Sequence, residues 1–293
     1  MTDVAPRSML WALRTLVVGL APALAFATDG AVDQRAAVAG TVATVAWGAV
    51  VAVVLVALMA PSPLGLTVTR TTLPLLVPGA AVALAMGAGP AWGVAALALS
   101  LLATLVAFTA ETAEAFVQAA AYGDERRLPL RAPAALLVPM VLSWVVWCAL
   151  ALAAALALCA GAWLPGVALS LVAAVLAVPL FTRFHRFSRR WLVLVPAGVV
   201  LHDHVVLGET LLLMRPNVAL ARLAPASTEA ADFTGPAAGH AVELTVRDMV
   251  LALLAATPAN PKGKALHVQS LLVAPSRPGR ALRALATAKV PVG

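Results

Sequence analysis

The sequence predicts an α-helical membrane protein, with about six transmembrane helices in residues 1–182 and a small cytoplasmic β-rich domain in residues 183–293. Three observations predict it. The 293 residues are 62% hydrophobic and 11% charged, whereas soluble domains carry about 25% charged residues, so this chain cannot cover itself with polar surface in water. Six apolar stretches have lengths near the roughly 20 residues a helix needs to cross a bilayer. Beyond residue 182 the apolar runs shorten and alternate, which is the period of strands.

The expected spans are residues 9–27, 37–60, 73–89, 91–110, 134–160 and 167–181. The third is short and broken by Pro74, Pro78, Gly79 and Gly87, because proline lacks a donor and glycine weakens a helix. The first, with Arg7 and Arg14 before an apolar run that ends at Ala25-Phe26-Ala27, also has the form of a cleavable signal peptide. The length of its apolar run and the five spans behind it favour an uncleaved helix. Cleavage would leave five spans and the same orientation of the rest.

Orientation follows from the basic residues that flank the spans. With the N-terminus inside, the inner segments hold Arg7, Arg70, Arg126, Arg127, Arg131, Arg183, Arg186, Arg189 and Arg190, and the outer segments hold Arg35 alone. Both termini are therefore expected in the cytoplasm and the protein in the cell membrane. The outer loops, at 29–36, 87–90 and 161–166, are short, so no extracellular domain is expected.

Charge divides unevenly. Residues 1–181 hold seven arginines against seven acids, and the whole net charge of +7 falls in residues 182–293. A basic module next to a membrane suits anionic headgroups or an acidic partner. The run TRFHRFSRRW places Arg183, Arg186, Arg189 and Arg190 directly after the last span. These four are expected to contact headgroups at about 1 kcal/mol each.

The largest inner loop is 111–133. Its first half has no helix breaker, so the fourth helix is expected to run on for two or three turns to Gly123. Glu111 and Glu114 are three residues apart and share a helix face. They are expected to form an ion-pair network at the inner boundary with Arg126 and Arg127, with Arg131 close in sequence. A carboxylate pair for metal or acid–base chemistry is the alternative, and no histidine lies near them in sequence. After the first span, no expected span carries an ionisable residue in its middle, which argues against ion-coupled transport and proton pumping.

In the tail, strands are expected at 191–195, 199–202, 209–214, 217–223, 242–246, 249–254 and 266–273, with a helix at 277–288. The strands at 242–246 and 249–254 form a hairpin across Arg247-Asp248, and 224–239 is a loop. His202 and His204 point to one face of a strand, but two ligands do not make a metal site, and they are read as polar residues flanking a turn. Cys148 and Cys159 share a helix face three turns apart, too far to bridge, and are read as small core residues. No nucleotide-binding, hydrolase or zinc motif is present. No cofactor, metal or nucleic-acid partner is expected, and no catalytic residue is assigned.

Two resemblances follow from these residues. The segment RRWLVLVPAGVVLHD at 189–203 resembles the first hairpin of bacterial PH-like domains, and about seven short strands closed by a helix suit such a barrel. Together with ETAEAFVQAAAYGDERRLPLR at 111–131 and LLVAPSRPGRAL at 271–282, it resembles a family of uncharacterised multi-pass membrane proteins of actinobacteria. The second resemblance implies a plasma-membrane location and no activity. The expected function is non-enzymatic: a scaffold or regulatory subunit whose tail binds a protein partner or anionic inner-leaflet lipid. The alternative is a transporter or channel subunit for a neutral or lipidic substrate, which requires a continuous cavity between the spans. A lipid-directed membrane enzyme, with Glu111 and Glu114 as its acids, ranks behind both.

Overall fold

The computed structural model describes residues 4–32, 37–256, 261 and 263–293. Arg35 and the side chain of Arg7 lie outside the described residues. The chain divides into two compact units: Met1–Phe116 with Met140–His185, and Val117–Pro139 with Arg186–Gly293. The expected boundary between 182 and 183 therefore shifts by three residues. More importantly, the loop between the fourth and fifth spans joins the tail.

The first unit is helical. Its elements are α1 (Val4–Val32), α2 (Ala37–Met59), α3 (Pro63–Thr72), α4 (Leu76–Ala85), α5 (Pro90–Ala107), most of α6 (Ala110–Ala119), and the greater parts of α7 (Ala134–Cys159) and α8 (Trp163–Ser188). Among the described residues, six helical stretches are long and apolar enough to cross a membrane: Ser8–Ala31, Val38–Met59, Pro63–Ala85, Pro90–Ala107, Ala134–Cys159 and Trp163–Ser188. The protein is a multi-pass membrane protein. α1 packs against α2 and α5, and α4 packs against α5.

The third span starts ten residues before its expected position. Ser62 caps α3 by accepting from Gly65 N at 3.1 Å, and Pro63 occupies the first turn, where its missing donor costs nothing. The threonines that lower the local hydropathy are satisfied inside the helix: Thr67, Thr71 and Thr72 each donate to the carbonyl four residues back. Pro74 falls in a 3₁₀ turn at Leu73–Leu75, which joins α3 to α4. As a consequence, Arg70 lies within the third span and not in a loop beside it.

The fourth span also departs from expectation. α5 stops at Ala107 and α6 begins at Ala110, so the helix does not run on unbroken. Thr109 Oγ1 accepts from Thr112 N, and the Thr112 hydroxyl donates to Val106 O. Arg70 donates from Nε to Ala107 O at 2.9 Å and from Nη2 to Thr109 O at 3.1 Å. Carbonyls at a helix end lack intrahelical donors, and a fork-shaped guanidinium fills that role. Arg14 does the same for α2, donating from Nε and Nη2 to Leu58 O.

The second unit is β-rich. Strands β1 (Arg126–Pro129), β2 (Trp191–Val195), β3 (Gly198–His202) and β4 (Leu211–Met214) form an antiparallel sheet in sequence order. Strands β5 (Val218–Leu223), β6 (Ala231–Asp232), β7 (Val242–Leu254) and β8 (Lys264–Val273) form a second sheet in the order β5-β7-β8-β6. Only the short β6 runs parallel to its neighbour. Helix α9 (Pro278–Thr287) follows, with Ala281, Ala284 and Leu285 buried in the core made by both sheets.

Two features differ from expectation. β1 comes from the segment expected to lead straight into the fifth span. Its Leu128 and the following Leu130 are both buried, while Arg127 and Pro129 between and beside them are partly exposed. The expected hairpin across Arg247-Asp248 is instead one strand, β7, with a shift of register between Thr245 and Val250. Asn217 replaces the missing ladder bonds there: its side chain donates to Asp248 O and accepts from Asp248 N.

Candidate functional site

The most constrained cluster in the β-rich unit centres on Arg190. This residue stands between α8 and β2, and its side chain is 1% exposed. Nε and Nη2 donate to the carboxylate of Asp203, just after β3, with Nη2 to Oδ2 at 2.7 Å. Nη1 donates to Arg131 O and Nη2 also to Thr234 O. Asp203 accepts in addition from Val205 N at 3.0 Å. One guanidinium therefore ties together the 126–133 segment, the start of the tail, the β3–β4 connection and the loop after β6. Removing a charge from water is costly unless hydrogen bonds replace its hydration, and here each guanidinium nitrogen has at least one acceptor.

Beside it runs a stacked column. The Arg127 guanidinium lies 5.4 Å from the Trp191 ring centroid. Trp191 stacks on His202 at 5.0 Å with 13° between planes, and His204 meets His202 edge-on at 4.4 Å. Burial is the main reason that the His202 imidazole falls from 6.5 to about 4, with His204, Arg189 and Arg127 adding to it and Asp203 opposing. His202 is thus neutral at physiological pH, and Thr210 Oγ1 lies 3.1 Å from its Nδ1. Among the described residues no group of three or more His, Cys, Asp or Glu side chains could hold a metal.

The residues expected to touch headgroups separate. Arg183, Arg186 and Arg189 are exposed. Arg190 is not: it is the buried partner of Asp203, so its expected headgroup role is corrected. The signal for this was Asp203 itself, an acid between two histidines just past a strand end, which comes beside the residue preceding β2 when β2 and β3 pair with Trp191 opposite His202. The residues of the expected inner-boundary network come from both units. Glu111 and Glu114 belong to the helical unit, and Arg126 and Arg127 to the β-rich one. Glu111 lies in the first turn of α6, where a carboxylate suits the helix dipole, and Glu114 is 4% exposed. Arg127 pairs with Glu125 at 2.9 Å, and Gln118 braces the same turn by donating to Glu125 O and accepting from Arg127 N.

The helical unit holds a partly open cavity of about 370 Å³ between faces of α1, α2, α4 and α7. Its lining carries no ionisable side chain other than the thiols of Cys148 and Cys159. Its two hydrogen-bonding side chains from α1 and α2 satisfy each other, Trp47 Nε1 donating to Thr28 Oγ1 at 3.0 Å and Thr28 donating on to Leu24 O. The Cys159 thiol faces Ala39 O at 3.6 Å. Cys148 is buried, as the core reading expects, Cys159 is partly buried, and both line this space.

No family model, curated protein or solved structure matches the chain.

Proposed function

We propose that the chain is a regulatory or scaffold subunit of the cell membrane, with both termini cytoplasmic, whose β-rich unit docks a cytoplasmic protein while its flanking arginines rest on the anionic inner leaflet. The observation that carries this reading is the dual origin of that unit. β1 comes from the loop between the fourth and fifth spans, and the other strands come from the tail. A tail attached at one end could bind a partner without consequence for the spans. Here four residues separate β1 from α7, and two separate α8 from β2. Any change in the pairing of β1 with β2, or in the contacts of Arg190, is passed along the chain to two spans at once.

Two further features support it. A four-stranded meander, a second sheet and a closing helix suit the PH-like resemblance, although fold likeness says nothing about the ligand. The bias of arginines to one set of loops supports the orientation, and the net charge of +7 carried by residues 182–293 suits an acidic partner or leaflet. The test is in-cell crosslinking and affinity purification from native membranes, with the intact chain and with Arg190→Ala present at equal abundance. The reading expects a specific partner with the intact chain that is lost with the variant. The same proteins with both, or none with either, overturns it.

A further inference from the structure

We infer that the cavity in the helical unit is a binding site for a single hydrocarbon chain of a membrane lipid, acyl or prenyl. The inference stands on the helical unit and does not depend on what the β-rich unit docks.

Three observations carry it. The first is chemistry. The walls offer no charge, and the Thr28 and Trp47 side chains are paired with each other, so a polar ligand would enter without a hydrogen-bond partner and lose its hydration. Only an apolar group fits without that penalty. The second is shape. On α7 the lining runs from Cys148 to Ala160 along one face, which at 1.5 Å per residue is ~18 Å. That length matches an extended chain more than a compact ring system. The third is supply. The unit's helices cross a bilayer, so hydrocarbon chains surround it at high concentration. Apolar cavities smaller than this one stay dry and take up apolar guests, and ligand sites of this size are common.

The glycine at position 79 supplies the test. A Cβ added to Gly79 meets nothing within 4 Å, and the residue lines the cavity, so Gly79→Leu places a side chain in the space without a clash at its root. The full chain is placed in nanodiscs of phosphatidylcholine and phosphatidylglycerol that contain either a phospholipid with a diazirine in its acyl chain or a diazirine-bearing prenyl alcohol. After photolysis, adducts are mapped by peptide mass spectrometry. The expected result is adducts on the α7 face bearing Ala151 and Ala155, severalfold fewer in Gly79→Leu, and more abundant there than on the exposed positions Val141, Val145 and Val146. Adducts from the acyl probe name a bilayer lipid as the source, and adducts from the prenyl probe alone name an isoprenoid.

A second measurement keeps the wild-type chain. Cys148 and Cys159 both line the cavity, so a small membrane-permeant maleimide should label them more slowly in lipid nanodiscs than in a short-chain detergent too brief to fill the space. Adducts spread evenly over α7 and unchanged by Gly79→Leu, together with thiol labelling indifferent to lipid, would overturn the inference and leave only ordinary lipid contact.

Discussion

Arg190 Nη2 and Asp203 Oδ2 meet at 2.7 Å with side chains 1% and 0% exposed. Removing one partner of such a pair strands the other charge in the core, at a cost of about 3–5 kcal/mol. Asp203→Asn should lower the melting temperature of the β-rich unit sharply. Arg190→Met with Asp203→Leu should lower it less than either single change does, because no charge is left behind. Equal losses from the single and double variants would show that the pair acts through something other than its mutual charge.

Arg183, Arg186 and Arg189 remain exposed and available to anionic lipid. At about 1 kcal/mol each, changing all three to Ala should abolish the extra hydrogen-exchange protection of residues 183–189 in anionic over zwitterionic nanodiscs. Protection that is the same in both lipids for the intact chain would sink the headgroup reading.

Arg70 and Arg14 each close the end of a neighbouring helix by donating to its last carbonyls. Hydrogen bonds to a charged donor contribute about 1.5–3 kcal/mol. Arg70→Met should lower the thermal stability of the full chain in nanodiscs by an amount in that range. Arg70→Lys should fall between, since one ammonium cannot match the fork that spans Ala107 O and Thr109 O. A melting temperature unmoved by Arg70→Met would mean that water or Thr112 takes over those carbonyls.

These cases show what the sequence could and could not display. The spans were legible because apolar runs of bilayer length have few other homes. The start of the third span was not, because Thr67, Arg70, Thr71 and Thr72 look polar in a list yet bond within the protein, the threonines to their own helix and Arg70 to the end of α5. Strand β1 was hidden because four residues beside a proline carry little signal, and its partner β2 lies more than sixty residues away. The bulge in β7 read as a turn because Arg247-Asp248 has turn composition, and only the distant Asn217 makes an unbroken strand there possible. The alternation of Leu128 and Leu130 was the one local sign of β1. The cavity left no trace at all, since it depends on how four helices approach one another.

His202 titrates near 4 in the folded chain against 6.5 for an ordinary histidine. Between those values the unfolded chain binds more protons than the folded one, so stability is fully present above pH 6.5 and declines as pH falls toward 4. The melting temperature of the β-rich unit should therefore drop across that window. His202→Phe keeps an aromatic ring on Trp191 and removes the titration, so its profile should be flatter from pH 6.5 to 4. An unchanged slope would assign the acid sensitivity to other groups.

Gly198 opens β3, and its place is set by the strand beside it. A Cβ there would lie 2.1 Å from Leu213 O and 2.9 Å from Arg215 N, both backbone atoms that cannot swing aside. Gly198→Ala must push β3 from β4 or shift the β2–β3 turn, and overpacking of this kind costs roughly 1–3 kcal/mol. Because β3 ends at His202, next to the Asp203 that holds Arg190, the displacement should also loosen that pair, so the variant should expose Trp191 and raise hydrogen exchange in β1 as well as in β3. Gly208 is the control: a Cβ there meets Leu254 O at 3.5 Å, ordinary contact, and Gly208→Ala should leave both readouts unchanged. If Gly198→Ala affected β3 while β1 stayed protected, the two strands would be energetically separate, and the proposed link from the sheet to the fifth span would fail at its first step.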